Sequence, residues 1–221
     1  MTRFTGAICL RLALCSASLF ACAAQAEAAP VRLVYRVSHS TYGGIGTYTN
    51  IIDQMGDATT VKTEGRIRIG ILGVVLFRQD ADRTERWQNG RLVTFQGTTK
   101  TNSNPVIEVS GKAEGDHFVV QAESGPEQAP ANVRPANPWS ADVLKSDVLF
   151  TPDRGRIEQV QITGAKDEDV EAAGTNLRAK HYLIDRGGGR RYEIWLDARG
   201  TVVKFTLDRK STRLNSSHVS E

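Results

Sequence analysis

The stretch that decides the fold is RRYEIWLDARGTVVKFTL, residues 190–207. Apolar residues recur at every second position, on one face of each arm: Tyr192, Ile194 and Leu196, then Val203, Phe205 and Leu207. This period of two is typical of half-buried strands, because successive side chains point to opposite faces of a sheet. Asp197 to Gly200 supplies a self-capping aspartate and a glycine that can close a short turn. The stretch predicts a β-hairpin.

The hairpin needs neighbouring strands, because an isolated hairpin is marginally stable in water. Strand patterns precede it, beginning with Val31 to His39 and Thr59 to Ile71. Asn89-Gly90 between two strand-like runs is a strong hairpin signal. Ile71 to Phe77 is apolar on both faces, which predicts a strand covered on both sides or one lining an apolar cavity. Ser124 to Pro138 carries four of the seven prolines and predicts a loop or crossing.

The expected fold is all-β and occupies one domain, residues 29–208. We predict a single curved antiparallel sheet or an incomplete β-barrel of about ten to twelve strands, linked mostly as a meander. At most one short helix is expected, capped by Ser140 and running through Val143 and Leu144. About 180 residues are enough for a substantial core.

Both ends of the chain are expected to lie outside this fold. Residues 1–28 read as an export signal, so we expect a periplasmic or secreted protein without a membrane span in the mature chain. The alternative is a lipoprotein anchored through Cys22, because Leu19 to Cys22 resembles a lipobox. All three cysteines lie in this segment, which leaves the mature chain without a thiol. Residues 209–221 are polar and lack strand periodicity, which indicates an artefactual or disordered tail.

The charge balance does not favour a nucleic-acid partner. The chain has 28 basic and 25 acidic residues. Five of the basic and two of the acidic residues lie in the two end segments, which leaves 23 of each in the body. A neutral body lacks the general basic surface that attracts nucleic acid or anionic membrane.

Catalytic and metal-binding residue types form no recognised motif in the body. His39, His117 and His181 are not at metal-ligand spacing, although His39 and His181 could meet across a sheet. No Gly-x-Ser-x-Gly elbow is present. Asp167 to Glu171 lacks the ligand rhythm of a calcium loop and predicts a solvated loop. We expect no metal, no cofactor and no catalytic residue.

Tryptophans and their neighbours are the candidate ligand-binding residues. A tryptophan buries a large apolar area and keeps an N–H that needs a partner, so it suits both a core and a pocket. A glutamate between arginines, at position 85, is expected to be paired or solvated. The candidate set is Tyr35, Ile69, Ile71, Glu85, Trp87, Trp139 and Trp195.

Several short motifs carry a family resemblance. They are Ile45-Gly46-Thr47, Thr84 to Trp87, Asn89 to Leu92, Pro138-Trp139, and Ile194 to Asp197 with Gly200. As a set, they resemble an uncharacterised family of exported bacterial proteins, domain of unknown function 6134, over most of Val31 to Leu207. More distantly, the pattern is similar to the LolA/LolB-type periplasmic lipoprotein carriers. That similarity implies a half-open barrel with a hydrophobic interior, and it implies no activity.

Three functions follow from these observations. The first is a non-enzymatic periplasmic protein that binds a lipophilic ligand in the concave face of the sheet. The alternative is an envelope protein-interaction or assembly module that docks a partner through a sheet edge or through Ser124 to Pro138. The third is a hydrolase, which requires a cleft that gathers His39 or His181 with a carboxylate and a hydroxyl.

Overall fold

The computed structural model describes residues 29–209 and 212–219, which form an all-β protein. The first eight strands are β1 (Val31–His39), β2 (Gly43–Met55), β3 (Ala58–Ile71), β4 (Val74–Gln88), β5 (Arg91–Thr101), β6 (Ile107–Glu114), β7 (His117–Ala122) and β8 (Gly125–Pro130). Residues 131–160, the inner segment, carry β9 (Arg134–Pro135), a 3₁₀-helix (Ala141–Lys145), β10 (Val148–Phe150) and β11 (Ile157–Gln159). The last strands are β12 (Gln161–Ala172), β13 (Thr175–Asp185), β14 (Arg191–Leu196), β15 (Val202–Arg209) and β16 (Thr212–Val219).

Thirteen of these strands form one antiparallel sheet in the order β12-β13-β14-β15-β16-β1-β2-β3-β4-β5-β6-β7-β8. Two meanders, β1 to β8 and β12 to β16, are joined by the pairing of β1 with β16. In the described residues β12 and β8 are the sheet edges. The other three strands form a small second sheet, β11-β10-β9. The prediction of a single sheet of ten to twelve strands is therefore wrong, although the all-β class and the meander are confirmed.

The main sheet curls around the inner segment. Laid flat, thirteen strands would span roughly 60 Å. Yet β10 packs on both halves of the sheet, because its successive side chains point to opposite faces. Leu149 packs with Tyr35, Ile184 and other residues of β1 and β13 to β15. Phe150 packs with residues of β3 to β8, including edge-to-face contact with Phe95 at 4.9 Å between ring centroids.

The hairpin predicted at 190–207 is confirmed as β14 and β15, with Ile194 opposite Phe205. Its turn is held by Asp197, whose Oδ1 accepts from the backbone N–H of Arg199 at 2.9 Å. One face assignment is wrong, because a register shift lies between Trp195 and Leu196. Leu196 pairs with Val202, which joins the inward core, while Val203 packs beside Trp195 on the other side of the sheet.

The apolar run Ile71 to Phe77 is the largest departure from expectation. It is not a covered strand but the tip of a projecting hairpin, and Leu72 is 98% exposed. The ladder with β2 ends at Ile67, and the ladder with β5 ends at Gln79. Residues 68–78, here called the finger, therefore extend beyond both neighbouring strands.

Three further segments differ from their predicted structure. The proline-rich stretch is not a loop throughout but an edge strand, β8, followed by a crossing that buries Val133 and Asn137. The acidic run Asp167 to Glu171 lies within β12 rather than in a loop. In the predicted tail, residues 212–219 form β16 between β15 and β1. The cap predicted at Ser140 is confirmed, since its Oγ accepts from the N–H of Asp142 at 3.1 Å.

The predicted export signal, with Cys22, lies outside the described residues. In the described part of the chain, no helix has the length and apolar character needed to cross a bilayer.

Candidate functional site

A cavity of about 620 Å³ lies between the main sheet and the inner segment. Strands β1 to β4 and β15 contribute to one wall, and the inner segment with the β13–β14 turn contributes to the other. The apolar lining includes Val37, Ile67, Ala81, Ala136, Phe205 and Leu207. Among the described residues, the charged lining comprises five arginines and two carboxylates: Arg83, Arg154, Arg156, Arg186, Arg190, Asp153 and Glu158. The cavity is therefore apolar with a positive excess.

The five arginines of the cavity are not equivalent. Glu158 pairs with Arg186 at 2.6 Å and with Arg190 at 2.5 Å, which neutralises part of their charge. Within the described residues, Arg83, Arg154 and Arg156 form no ion pair within 4.0 Å. Arg154 and Arg156 are exposed to solvent, whereas Arg83 projects from β4 and is half-buried.

Arg83 begins a chain of hydrogen bonds that leads from the cavity into the core. Its Nη1 donates to Tyr48 Oη at 2.8 Å, and the Tyr48 hydroxyl donates to Asn137 Oδ1 at 2.9 Å. Asn137 Nδ2 donates to Glu85 Oε1 at 2.5 Å and to Thr63 Oγ1 at 3.0 Å. Burial raises the pKa of the Tyr48 hydroxyl, although the nearby Arg83 charge opposes that rise. The cavity wall and a buried carboxylate thus share one network.

Glu85 is a fully buried carboxylate, not the paired or solvated one that the sequence predicts. Its Oε2 accepts from the indole N–H groups of Trp87 at 3.0 Å and Trp139 at 2.8 Å. The two indoles are in edge-to-face contact, with ring centroids 5.9 Å apart. Desolvation raises the pKa of Glu85 to about 6, even though the hydrogen bonds from Asn137 and both indoles lower it.

The structure brings together three of the seven predicted ligand-binding residues, Glu85, Trp87 and Trp139. None of the seven lines the cavity within the described residues. Tyr35 is fully buried, and its hydroxyl donates to the carbonyl of Val202 at 2.8 Å. Ile69 and Ile71 belong to the finger, where Ile71 is 48% exposed.

Trp195 lies in a separate cluster on the opposite side of the sheet from the inward core. Its indole N–H donates to Glu168 Oε2 at 2.9 Å, and its ring stacks on His181 with centroids 4.2 Å apart. His181 Nδ1 lies 2.9 Å from Glu168 Oε1. The hydrogen bonds from Trp195 and His181 lower the pKa of Glu168.

The predicted meeting of His39 and His181 does not occur. His39 is on β1 and His181 is on β13, with β14, β15 and β16 between them in the sheet. His39 Nδ1 instead accepts from the backbone N–H of Thr41 at 2.9 Å. Among the described residues, no group of three or more histidine, aspartate or glutamate side chains could hold a metal ion.

Comparison with known proteins identifies the family. The sequence matches the family described as domain of unknown function (DUF6134) over residues 41–215. The chain belongs to that family. It is also similar to a crystal structure of a beta-barrel-like protein of domain of unknown function DUF1849 from Brucella abortus, with a TM-score of 0.60 and 12% identity over 87% of this chain and 96% of that one. At this identity the likeness concerns the fold alone. No curated protein gives a significant match.

The sequence did not reveal the arginines of this DUF6134 cavity. They come from β4, from the residues after β10, and from the β13–β14 turn, which are remote in sequence. Only the curl of the sheet around the inner segment brings them together. One signal was available in the sequence, since residues 153–158 hold four of the seven charged lining residues, two arginines and two carboxylates.

Proposed function

We propose that the protein holds a lipophilic ligand with an anionic group in the cavity, outside the cytoplasm and without transforming it. The cavity volume falls within the range of roughly 300–1,000 Å³ that is usual for small-molecule sites. The observation that carries the proposal is Arg83, a half-buried guanidinium on an apolar wall with no carboxylate partner in the described residues.

Arg83 supports an anionic ligand because its hydrogen-bonding capacity is incompletely used. Its Nη1 has a partner in Tyr48, but its buried Nε has none in the described residues. Leaving a buried charged donor unpaired is unfavourable, and a carboxylate, phosphate or sulfonate can bind a guanidinium through two parallel hydrogen bonds. The exposed Arg154 and Arg156 add positive charge to the same cavity.

The apolar lining supports a hydrocarbon portion on the same ligand. Residues such as Ile67, Ala81 and Phe205 offer surface that gains about 25 cal/mol for each Å² removed from water. His39, His117 and His181 all lie away from this lining. The same site would serve a freely diffusing periplasmic protein or one anchored through Cys22.

Two related fluorophores test this proposal. Phenylnaphthylamine and anilinonaphthalene sulfonate share one apolar skeleton and differ in the sulfonate. We expect the sulfonate to bind more tightly, and Arg83→Met to weaken it by about tenfold, because hydrogen bonds to charged groups contribute about 1.5–3 kcal/mol. Phenylnaphthylamine should bind the wild type and Arg83→Met with equal affinity.

Arg91→Met is the matched control for Arg83→Met. Arg91 is also half-buried with an Nε that lacks a partner in the described residues, but it does not line the cavity. Its variant should bind both fluorophores as the wild type does. Equal affinity of wild type and Arg83→Met for the sulfonate would remove the anionic part of the proposal. Failure of both fluorophores to bind would remove the lipophilic part.

A further inference from the structure

The finger presents an apolar surface that nothing in the described chain covers. Its tip residues are all about half exposed or more: Ile71 48%, Leu72 98%, Val74 61%, Val75 61% and Leu76 52%. Residues 69–77 contain no charged side chain. Because successive strand residues point to opposite faces, this exposure extends over both faces of the hairpin. Isolated exposed apolar residues are ordinary on a protein surface, but a contiguous patch marks an interaction site.

The turn at the tip retains a leucine where another residue would fit better. Leu72 and Gly73 connect the two strands with φ of +49° and +82°. The other end of β4 has the same kind of two-residue turn, where Asn89 and Gly90 have φ of +50° and +71°. Asparagine tolerates the left-handed conformation, whereas a bulky side chain is disfavoured there. A strained leucine with almost complete exposure points to a role in contact with something apolar.

We propose that the finger inserts into the interfacial region of a phospholipid bilayer. A hydrocarbon medium can surround a two-faced projection, whereas a flat protein surface would cover one face. Behind the tip, Arg68 and Arg78 form a basic collar, about half exposed, that shares the single carboxylate of Asp80 at 3.7 and 2.6 Å. Arginines at this depth match anionic headgroups, and apolar residues beyond them match the acyl boundary.

The finger is also continuous with the cavity. Ile67 and Gln79 are cross-strand partners that line the cavity, and the next pair on the same face is Ile69 with Phe77. One face of the hairpin therefore runs from the cavity wall to the tip and is apolar beyond Gln79. Since the body is formally neutral, insertion of the finger, rather than general electrostatic attraction, is the source of the affinity. This inference does not depend on the cavity holding a ligand.

Flotation with vesicles of phosphatidylethanolamine and phosphatidylglycerol tests the inference. The wild-type mature protein should float with the vesicles. Leu72→Asn should partition about tenfold more weakly, because it removes one large apolar side chain from the bilayer. The same substitution improves the turn, so thermal unfolding should show an equal or higher midpoint. Leu76→Thr, which leaves the turn unchanged and suits a strand, should also weaken flotation.

Met55→Asn is the control, because Met55 is 58% exposed at the end of β2 and lies outside the finger. It should float as the wild type does. Wild-type protein that stays with the aqueous fraction, or Leu72→Asn that floats equally well, would overturn the inference. Titration with anilinonaphthalene sulfonate separates the two proposals, since Leu72→Asn should bind it normally.

Discussion

The molecule contains the same interaction twice in opposite surroundings. In both places an indole N–H donates to a glutamate at similar length, 2.8 Å from Trp139 to Glu85 and 2.9 Å from Trp195 to Glu168. Glu85 is completely buried behind the cavity, whereas the Glu168 side chain is 42% exposed. The pKa of Glu85 is raised to about 6 by desolvation, and that of Glu168 is lowered by its hydrogen bonds.

The difference between Glu85 and Glu168 shows that burial decides whether the pKa of a hydrogen-bonded glutamate is raised or lowered. Three hydrogen bonds to Glu85 do not offset the loss of water, while two to the exposed Glu168 are enough to favour its ionised form. The buried network therefore depends on all of its partners and is sensitive to pH. At the second site only the carboxylate of Glu168 is exposed, since the Trp195 ring beside it is buried.

The largest expected effect comes from removing each carboxylate. Glu85→Ala leaves the N–H groups of Trp87, Trp139 and Asn137 without an acceptor in the core, so the free energy of unfolding should fall by about 3–5 kcal/mol. Glu168→Ala should lower it by about 1 kcal/mol or less, because water can replace the carboxylate. Urea denaturation at neutral pH measures both. Equal losses of unfolding free energy in Glu85→Ala and Glu168→Ala would contradict the claim that burial distinguishes the two carboxylates.

The two carboxylates should also respond to pH with opposite signs. Because the folded pKa of Glu85 lies above its ordinary value of 4.5, the folded state binds more protons between pH 4.5 and about 6. Its contribution to stability should decrease by about 2 kcal/mol as pH rises through that window. Glu168 has a lowered pKa, so its contribution is present above its ordinary pKa and is lost as pH falls through the folded value.

Subtracting matched glutamine variants isolates these two contributions. The free energy of unfolding of the wild type minus that of Glu85→Gln should decline as pH rises from 4.5 to about 6. The corresponding difference between wild type and Glu168→Gln should increase as pH rises through the lowered folded pKa of Glu168. Urea denaturation at several pH values gives both curves. A flat difference curve for Glu85 would mean that its pKa is not raised by burial.

A smaller effect is expected when one indole N–H is removed from each cluster. Trp139→Phe should destabilise the protein by about 1–2 kcal/mol more than Trp195→Phe, because the lost donor served a buried charge. It should also move the pKa of Glu85 further upward. The pH dependence of urea unfolding reports both changes. If Trp195→Phe lowers the free energy of unfolding more than Trp139→Phe does, packing rather than hydrogen bonding determines the stability contribution of these tryptophans.

The smallest effect links the buried cluster to the cavity. The Arg83 charge lowers the pKa of Glu85, so an anion bound at Arg83 should raise it and binding should take up protons. Anilinonaphthalene sulfonate, whose own charge is constant, should therefore bind more tightly at pH 5 than at pH 7, by less than tenfold. Glu85→Gln should remove this pH dependence. Fluorescence titrations measure it.

Local patterns predicted the elements whose sequences carry strong turn chemistry. The hairpin at 190–207 and the turn at Asn89-Gly90 are examples, since each places a glycine where the backbone requires positive φ. Leu72-Gly73 lacks the asparagine signal, so the sequence of Ile71 to Phe77 predicts a covered or cavity-lining strand rather than an exposed hairpin tip. The register shift after Trp195 reversed the expected side of Val203. Such shifts leave no clear mark in a sequence.

The site was predicted less well than the fold, for a topological reason. The sequence singles out Glu85, Trp87 and Trp139, which contact one another without lining the cavity. Their mutual contact depends on the inner segment crossing the sheet. The cavity depends on the same crossing, because Arg83 and Arg154 belong to different layers. Trp195 resembles the other tryptophans in sequence and lies on the opposite side of the sheet.

Native mass spectrometry of the protein purified from its native host tests the central claim most directly. We predict a reproducible adduct in the mass range of an anionic lipid or fatty acid, lost in Arg83→Met and retained in Arg91→Met. A bare protein mass, with no adduct after incubation with anionic amphiphiles, would contradict the account. An adduct that persists equally in Arg83→Met would place the ligand outside the arginine-lined cavity.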